Sequence, residues 1–139
     1  MISLDYLAGF IDGEGCFNAG KNLLGFKIEL SNTNLNIMEE IQESFGGKLY
    51  SYNIGERRRR VSYKLTWSGN AAVELAKLLM DKLRIKKRQA EVFSYMQFNT
   101  QGIKLTDNER EIREVAHLVV KRLNNPTLSL NNKFVGEIS

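Results

Sequence analysis

The sequence predicts an α+β domain in which helices alternate with pairs of antiparallel strands. Residues 26–33 alternate between apolar and polar side chains, and residues 60–67 do the same, as strands with one buried face do. Residues 35–45 instead place apolar side chains three and four positions apart, which is typical of a helix with one buried face. An antiparallel sheet of this kind can bury one face and leave the other to water or to a ligand.

Caps and glycines set the order of the elements along the chain. Ser3 and Asn34 are suitable helix N-caps. Thr106 starts a capping box, and the pair Gly46-Gly47 is suited to end a helix. The predicted elements, in order, are a helix over residues 4–12, strands over 16–22 and 26–33, a helix over 34–45, strands over 48–54 and 58–67, and helices over 68–83, 89–98 and 106–123.

We expect one domain over residues 1–125, followed by a C-terminal tail over residues 126–139. The chain has 139 residues, of which 42% are hydrophobic, enough for a single core. No stretch within residues 1–125 has the composition of a linker, and the signature-like segment described below does not recur. The lone proline, Pro126, follows the last predicted helix.

Composition narrows the class of partner. The net charge is +4 and the pI about 9.2, which suits a polyanionic partner, and the basic residues are concentrated in runs at 57–60 and 86–88. The single cysteine, Cys16, excludes a disulfide framework within the chain and suits a reducing compartment. Because no apolar run is long enough for a membrane span and no signal-peptide pattern is present, we expect an intracellular protein with no membrane partner.

The segment Leu7–Gly15 is the most informative part of the chain. It begins as a helix whose side chains Leu7, Phe10 and Ile11 lie three and four positions apart on one apolar face. The same segment ends in two carboxylates separated by glycine. An apolar helix that ends in closely spaced carboxylates combines a packing surface with candidate ligands.

Glycine is unfavourable within a helix, so the glycines of this segment require an explanation. Gly9 and Gly13 lie four residues apart, so they share one side of the helix, and each costs about 1 kcal/mol of helix stability relative to alanine. Their spacing would allow the backbone of another helix to approach closely. Glu14 stands between Gly13 and Gly15 with little steric cover, and a carboxylate at such a helix end is a candidate ligand for a hard cation.

This nine-residue segment resembles the LAGLIDADG signature, with Phe10 at the fourth position and Glu14 at the last acidic position. The order of the predicted elements extends the resemblance over most of the chain, which looks like a single-motif LAGLIDADG homing endonuclease. The resemblance implies an αββαββα fold, in which helices cover one face of a curved four-stranded antiparallel sheet. The other face forms a saddle that binds DNA.

The resemblance also implies a metal site and a dimer. Hydrolysis of a phosphodiester needs an activated water and a stabilised leaving oxygen, which divalent metals supply. Mg²⁺ is the expected cofactor, held by Glu14 and by the backbone carbonyl of Gly13. In the family the motif helices of two copies pack across a two-fold axis, which brings two such carboxylates together. The expected interface residues are Leu7, Gly9, Phe10 and Gly13. The alternative is that Glu14 is only a solvated helix end.

Two more catalytic residues follow from the resemblance. Lys86 matches a basic residue that lies near the scissile phosphate and the attacking water, with Lys87 and Arg88 as competitors. Asn32 matches a polar residue that orients solvent. The alternative for the three basic residues is a solvated cluster that the dipole of a preceding helix favours.

Other polar residues near the motif receive weaker roles. Asn36 stands at a position where the resemblance implies a basic residue. This departure leaves undetermined which residues order the outer shell of solvent. Asp12 is expected to support the end of the first helix and its partner helix by hydrogen bonding, and not to bind metal. Cys16 is expected to face the groove, and His117 to pack or lie at the surface.

The polar face of the predicted sheet is the expected DNA interface. Strand alternation places the polar side chains together, and arginine and asparagine suit phosphates and base edges. The third strand joins this face if it follows the family register. The expected DNA-binding residues are Asn18, Asn22, Lys27, Glu29, Tyr50, Tyr52, Arg58, Arg60, Ser62, Lys64 and Thr66.

The sequence therefore predicts a homodimeric, metal-dependent endonuclease that cuts both strands of a long, roughly palindromic DNA site. The resemblance implies coding within an intron or intein, in an organelle (chloroplast or mitochondrion) or a prokaryote. Three alternatives remain. The chain could be a maturase that binds intron RNA, a non-catalytic DNA-binding regulator on the same fold, or half of a two-motif protein.

Overall fold

A four-stranded antiparallel sheet forms the centre of the protein. The structure is a computed structural model that describes residues 1–20, 25–55, 60–98 and 105–125. Its elements, in chain order, are α1 (Leu4–Glu14), β1 (Gly15–Ala19), β2 (Phe26–Asn32), α2 (Leu35–Phe45), β3 (Lys48–Ile54), β4 (Arg60–Ser68), α3 (Asn70–Leu79), α4 (Lys87–Ser94) and α5 (Asp107–Asn124). The predicted order of elements is confirmed.

The strands lie side by side in the order β1-β2-β4-β3, and every neighbouring pair is antiparallel. Ile28 on β2 lies opposite Phe17 on β1 and opposite Trp67 on β4. Because paired residues share a face of the sheet, these three side chains lie on one face, and all three are buried. The alternate residues form a second face that carries mostly polar side chains.

The helices pack on the apolar face. Phe93 of α4 contacts the ring of Phe17 edge-on, with ring centres 5.1 Å apart, and also contacts Phe26. Elsewhere on this face, the indole nitrogen of Trp67 donates to the carbonyl of Phe45, the last residue of α2, at 3.1 Å. Since the helices of the described residues pack on this face, those residues leave the polar face of the sheet free for a ligand.

Helix α5 covers the outer edge of β1. The side-chain amide of Asn124 donates to the carbonyl of Phe17 at 2.7 Å, and a ring nitrogen of His117 contacts the carbonyl of Ala19. A strand at the edge of a sheet otherwise leaves such carbonyls open to another chain. His117 therefore has a packing role, in line with the sequence-based expectation.

Several boundaries differ from the predicted ones. Helix α1 runs on to Glu14 instead of residue 12, because the N–H of Gly15 still bonds to the carbonyl of Ile11. Helix α3 ends at Leu79, four residues early, since the chain turns there before a loop over residues 84–86. Helix α4 begins at Lys87 without a side-chain cap, so no local signal marked its start.

No helix among the described ranges is long and apolar enough to cross a bilayer. The tail expected over residues 126–139 lies outside the described residues, so the division of the chain at residue 125 stays a prediction.

Candidate active site and nucleic-acid interface

The C-terminal end of α1 gathers the candidate catalytic residues. Glu14 is the last residue of this helix and is exposed to solvent. Asn32 reaches it from the end of β2, and Lys86 reaches the same helix end from the loop before α4. The structure therefore brings together the three residues that the sequence predicted, although the chain separates Glu14 from Lys86 by more than seventy positions.

A hydrogen bond fixes the Glu14 carboxylate. The side-chain amide nitrogen of Asn32 donates to Oε2 of Glu14 at 2.9 Å. The orientation of that amide is set by its oxygen, which accepts the backbone N–H of Asn34 at 2.8 Å. Asn34 in turn caps α2, because its side chain accepts the N–H of Ile37. The start of α2 thus holds Asn32 in place to orient Glu14.

Lys86 is bound to α1 at two points. Its ammonium group donates to the backbone carbonyl of Asp12 at 2.7 Å, and its backbone N–H donates to Oδ1 of the same residue at 3.0 Å. The last carbonyls of a helix have no partner within it, so the Lys86 ammonium group satisfies one of them. The expectation that Asp12 supports its helix end by hydrogen bonding agrees with this geometry, but the bonds run to the 84–86 loop of the same chain.

Lys87 and Arg88 differ from Lys86. Both are exposed, and both lie in the first turn of α4. Cations at a helix N-terminus are disfavoured by its dipole, so the alternative of a cluster stabilised by a helix C-terminus does not fit. The structure distinguishes Lys86 as the basic residue of this cluster that points to the α1 end. Its catalytic role stays a prediction.

The oxygen donors at the α1 end fit a hard cation. Asn32 bonds to only one oxygen of the Glu14 carboxylate, so the second oxygen can bind a cation. The backbone carbonyl of Gly13 is one of the last carbonyls of the helix. Among the described residues no group of three or more His, Cys, Asp or Glu side chains could hold a metal ion. Glu14 and Gly13 would therefore share a cation with oxygen ligands from outside the chain.

Cys16 lies two residues beyond Glu14 and is exposed on the polar sheet face. Surrounding protein, and secondarily the nearby Glu29 carboxylate, raise the pKa of its thiol, while Lys86 and Lys64 act in the opposite direction. The thiol is therefore not an activated nucleophile, and its exposure on this face agrees with the expectation that Cys16 faces the groove.

The strand register defines the polar sheet face. Lys27 lies opposite Asn18 and Ser68, and Tyr50 lies opposite Lys64. Among the residues predicted to bind DNA, this face presents several with substantial exposure, namely Asn18, Lys27, Tyr50, Tyr52 and Arg60. These side chains are placed to contact a ligand that lies against the sheet.

A small network organises the middle of this face. Lys64 pairs with Glu29 at 3.3 Å, and its ammonium group lies 5.5 Å from the centre of the Tyr52 ring. Hydrogen bonds with Ser31 and then Ser62 lower the pKa of the Tyr52 hydroxyl. Glu29 and Lys64 therefore neutralise each other in part before any ligand binds.

Two residues predicted to bind DNA have little surface to offer. Ser62 and Thr66 are only 4% and 8% exposed. Both belong to β4, a central strand, where side chains of β2 and β3 flank them on the same face. The expectation of direct contact is therefore corrected for these two residues. Asn22 and Arg58 lie outside the described residues, so their predicted contacts stay predictions.

The outer side of α1 differs from the predicted interface at one position. Leu7 is fully buried in the core of its own chain, so its side chain cannot reach a second copy, and this assignment is wrong. Gly9 and Gly13 are exposed, and a Cβ added to either would meet no atom of the described residues within 4 Å. Phe10 is half-buried, and its ring lies 5.9 Å from that of Tyr6, which is 48% exposed.

The predicted interface and DNA-binding sets leave out three residues of these surfaces. Tyr6 belongs to the outer side of α1, and its spacing of three and seven residues from Gly9 and Gly13 could have indicated it. Ser31 and Lys48 lie on the polar sheet face, opposite Lys64 and Thr66. The two-residue period of the predicted strands could have found both.

Comparison with known proteins agrees with the fold. A family model described as LAGLIDADG endonuclease matches residues 7–99, which is more than half of the chain. The prediction of a DNA endonuclease of the homing type is confirmed at the level of the family. The chain belongs to the LAGLIDADG endonuclease family. No curated protein matches it.

Solved structures with a similar fold include homing endonucleases bound to DNA. The homing endonuclease I-CvuI, in complex with its target in the presence of Ca, has 18% identity and a TM-score of 0.50, covering 81% of this chain and 93% of that one. I-CvuI with the I-CreI target in the presence of Mg has 16% identity and a TM-score of 0.45, with the same coverage. The archaeal intron-encoded homing endonuclease I-Vdi141I, complexed with DNA, has 15% identity and a TM-score of 0.49, and the match covers 87% of this chain and 96% of that one. The predicted α+β fold is confirmed.

Proposed function

We propose that this protein is a homodimeric homing endonuclease that uses a divalent cation, physiologically Mg²⁺, to cut both strands of a specific DNA site. The observation that carries the proposal is the meeting of Glu14, Asn32 and Lys86 at one helix end, next to a free polar sheet face. The I-CvuI structure that contains its target DNA in the presence of Ca supports a DNA substrate and a divalent cation. Coding within an intron or intein, in an organelle or a prokaryote, belongs to the same proposal.

The candidate site divides the work of hydrolysis among three side chains. Glu14 and the Gly13 carbonyl would hold a divalent cation, which when bound would supply Lewis-acid stabilisation of charge on phosphate oxygens. Asn32 orients the Glu14 carboxylate by its hydrogen bond and offers polar contact to solvent. Lys86 supplies a positive charge where negative charge develops on the phosphate.

The polar sheet face supplies affinity and sequence selection. Lys27 and Arg60 are exposed cations suited to phosphates and to guanine edges, and Asn18 suits adenine. Tyr50 and Tyr52 add exposed aromatic and hydroxyl surface. A sheet of this shape in each of two copies would read two half-sites, so a two-fold protein predicts a roughly palindromic target.

A second copy would complete the site. One chain contributes one Glu14, while cutting two strands at one centre needs two carboxylates close together. Gly9 and Gly13 expose helix backbone on the outer side of α1, where no contact with the described part of the chain requires glycine. Close packing of two such helices would explain why glycine occupies both positions, although each glycine costs about 1 kcal/mol of helix stability relative to alanine.

The test is incubation of the protein with a plasmid library and Mg²⁺, followed by sequencing of the ends produced. We expect ends that map to one long, roughly palindromic site, with staggered cuts, and no product in the presence of a chelator. Random ends, or no cleavage of any member with protein that is folded, would refute the proposal. Binding without cleavage would favour the DNA-binding regulator, and binding of intron RNA alone would favour the maturase.

The Glu14→Gln variant tests the metal ligand itself. The substitution keeps the size of the side chain and removes its charge, so we expect cleavage to fall more than about 100-fold, beyond the range for outer partners of metal ligands. Glu74→Gln, on an exposed helix surface, is the matched control and should cut at the wild-type rate. Cleavage by Glu14→Gln at the native rate would refute the assignment.

A further inference from the structure

Asp12 connects two distant parts of the candidate site. Its Oδ2 accepts the backbone N–H of Arg84 at 2.7 Å, and its Oδ1 accepts those of Ile85 and Lys86 at 3.1 and 3.0 Å. Three consecutive N–H groups of one loop therefore converge on a single carboxylate. The loop lies between α3 and α4, and Lys86 is 74 positions away from Asp12 along the chain.

Only a carboxylate suits this arrangement. An ionised aspartate has two oxygens that accept hydrogen bonds and no donor, so it can satisfy all three N–H groups. Asparagine has the same shape, but it replaces one oxygen with an amide group that donates. At position 12 an amide would confront at least one N–H donor with another donor.

The same residue also holds the end of the lysine. The Lys86 ammonium group donates to the backbone carbonyl of Asp12 at 2.7 Å. Lys86 is therefore fixed at its backbone and at its side-chain tip by one residue of α1. Glu14 lies on the last turn of that helix, so the positions of Lys86 and Glu14 are set by the same short segment.

We propose that Asp12 is a positioning residue for DNA cleavage, which acts through Lys86 by clamping the 84–86 loop to the end of α1. This inference rests on the proposed function, because it assigns the clamp a consequence for cleavage. It predicts that Asp12 contributes to the rate of the chemical step only while Lys86 is present.

A double-mutant cycle tests this dependence. Single-turnover cleavage rates and DNA affinity are measured for wild type, Asp12→Asn, Lys86→Met and the double variant. A small displacement of a reacting group can cost about 100-fold in rate, so we expect Asp12→Asn to lose about that much while DNA affinity changes less than about twofold. In the Lys86→Met background, Asp12→Asn should change the rate by less than about twofold.

A control on the same helix separates the clamp from general effects of charge. Asp5 also lies on α1 and pairs with Lys82 at 2.6 Å, at the surface. Asp5→Asn removes one negative charge and should leave the rate unchanged. If Asp12→Asn folds poorly, Asp12→Glu takes its place in the cycle, because it keeps both acceptor oxygens and moves them by one methylene group.

Several outcomes would overturn the inference. The first is an unchanged cleavage rate in Asp12→Asn. The second is a loss of rate in the double variant that equals the product of the losses in Asp12→Asn and Lys86→Met. The third is a loss in Asp12→Asn that appears in DNA affinity and not in the cleavage rate. A purely structural role would lower the folded fraction in both backgrounds, so it would give multiplying losses.

Amide hydrogen exchange tests the clamp without reference to cleavage. Asp12→Asn should speed exchange at the N–H groups of Arg84, Ile85 and Lys86, whereas Asp5→Asn should not. If wild-type protein cuts no DNA, the proposed function fails while this measurement still decides whether the clamp exists. Unchanged exchange in Asp12→Asn would refute the clamp itself.

Discussion

The side-chain amide of Asn32 donates a hydrogen bond to the carboxylate of Glu14 at 2.9 Å, across a gap of eighteen positions in the chain. Asn32 is itself oriented by the backbone N–H of Asn34, at the start of α2. Because the bond restricts the Glu14 side chain, the fold sets the direction of its carboxylate. A side chain that is already restricted loses less conformational entropy when it binds a cation.

Removing that bond should weaken cleavage more than binding. Asn32→Ala leaves Glu14 without its donor, and loss of such a partner of a metal ligand costs about 10- to 100-fold in activity or metal affinity. We expect a loss of this size in the cleavage rate, and a rise in the Mg²⁺ concentration needed for half-maximal rate. DNA affinity measured in chelator should stay the same. A variant that needs no more Mg²⁺ than wild type would contradict this role.

A bulky side chain at Gly9 should separate the proposed dimer without unfolding the chain. A Cβ at this position meets nothing within 4 Å in the part of the chain that the structure describes, so Gly9→Leu should stabilise the isolated helix by up to about 1 kcal/mol while blocking a second helix. Sedimentation should show monomers, and double-strand cleavage should be lost. Glu40→Leu, on an exposed part of α2, is the matched control. Dimers that persist in Gly9→Leu would place the interface elsewhere.

The salt dependence of DNA binding should identify the sheet as the interface. Lys27 is exposed on the polar sheet face, so Lys27→Ala should reduce the slope of log K against log salt by about one. Lys77→Ala removes the same charge from α3, where Lys77 pairs with Glu74, and should leave the slope unchanged. Equal effects of the two substitutions would indicate a nonspecific role for charge.

The reactivity of Cys16 should report the electrostatics next to Glu14. Its thiol has a raised pKa, because of surrounding protein and then the Glu29 carboxylate, so the reactive thiolate should appear at higher pH than for an ordinary cysteine. Glu29→Gln should shift the inflection in alkylation rate to lower pH, and Lys86→Met should shift it to higher pH. The measurement is the rate of iodoacetamide alkylation between pH 7 and 11, where no shift in either variant would contradict the geometry.

Local patterns in the sequence were sufficient for the order of the elements, and the family resemblance supplied the candidate site residues. Alternation placed β2 within one residue, because that strand buries one face and exposes the other. Asn34 and Thr106 mark the starts of α2 and α5, since each side chain accepts a backbone N–H of its own helix. The LAGLIDADG-like segment located Glu14, and order along the chain located Lys86 and Asn32.

What local patterns could not give were contacts between distant segments. Leu7 and Phe10 look alike in the sequence, but the angle at which α1 packs on the sheet buries the first fully and the second only in part. Ser62 and Thr66 follow the period of an exposed face, yet their burial depends on β4 having strands on both sides. The clamp of Asp12 on the 84–86 loop depends on the packing of two elements far apart in the chain.

The most direct test of the central claim is cleavage by dimers in which one copy is wild type and the other carries Glu14→Gln. Two different affinity tags allow such mixed dimers to be purified, and the substrate is a supercoiled plasmid that contains the target site. Since each copy would contribute one carboxylate to one strand, mixed dimers should nick the plasmid without making it linear. A linear product from mixed dimers at the wild-type rate, or a wild-type protein that cuts both strands as a monomer, would contradict the account.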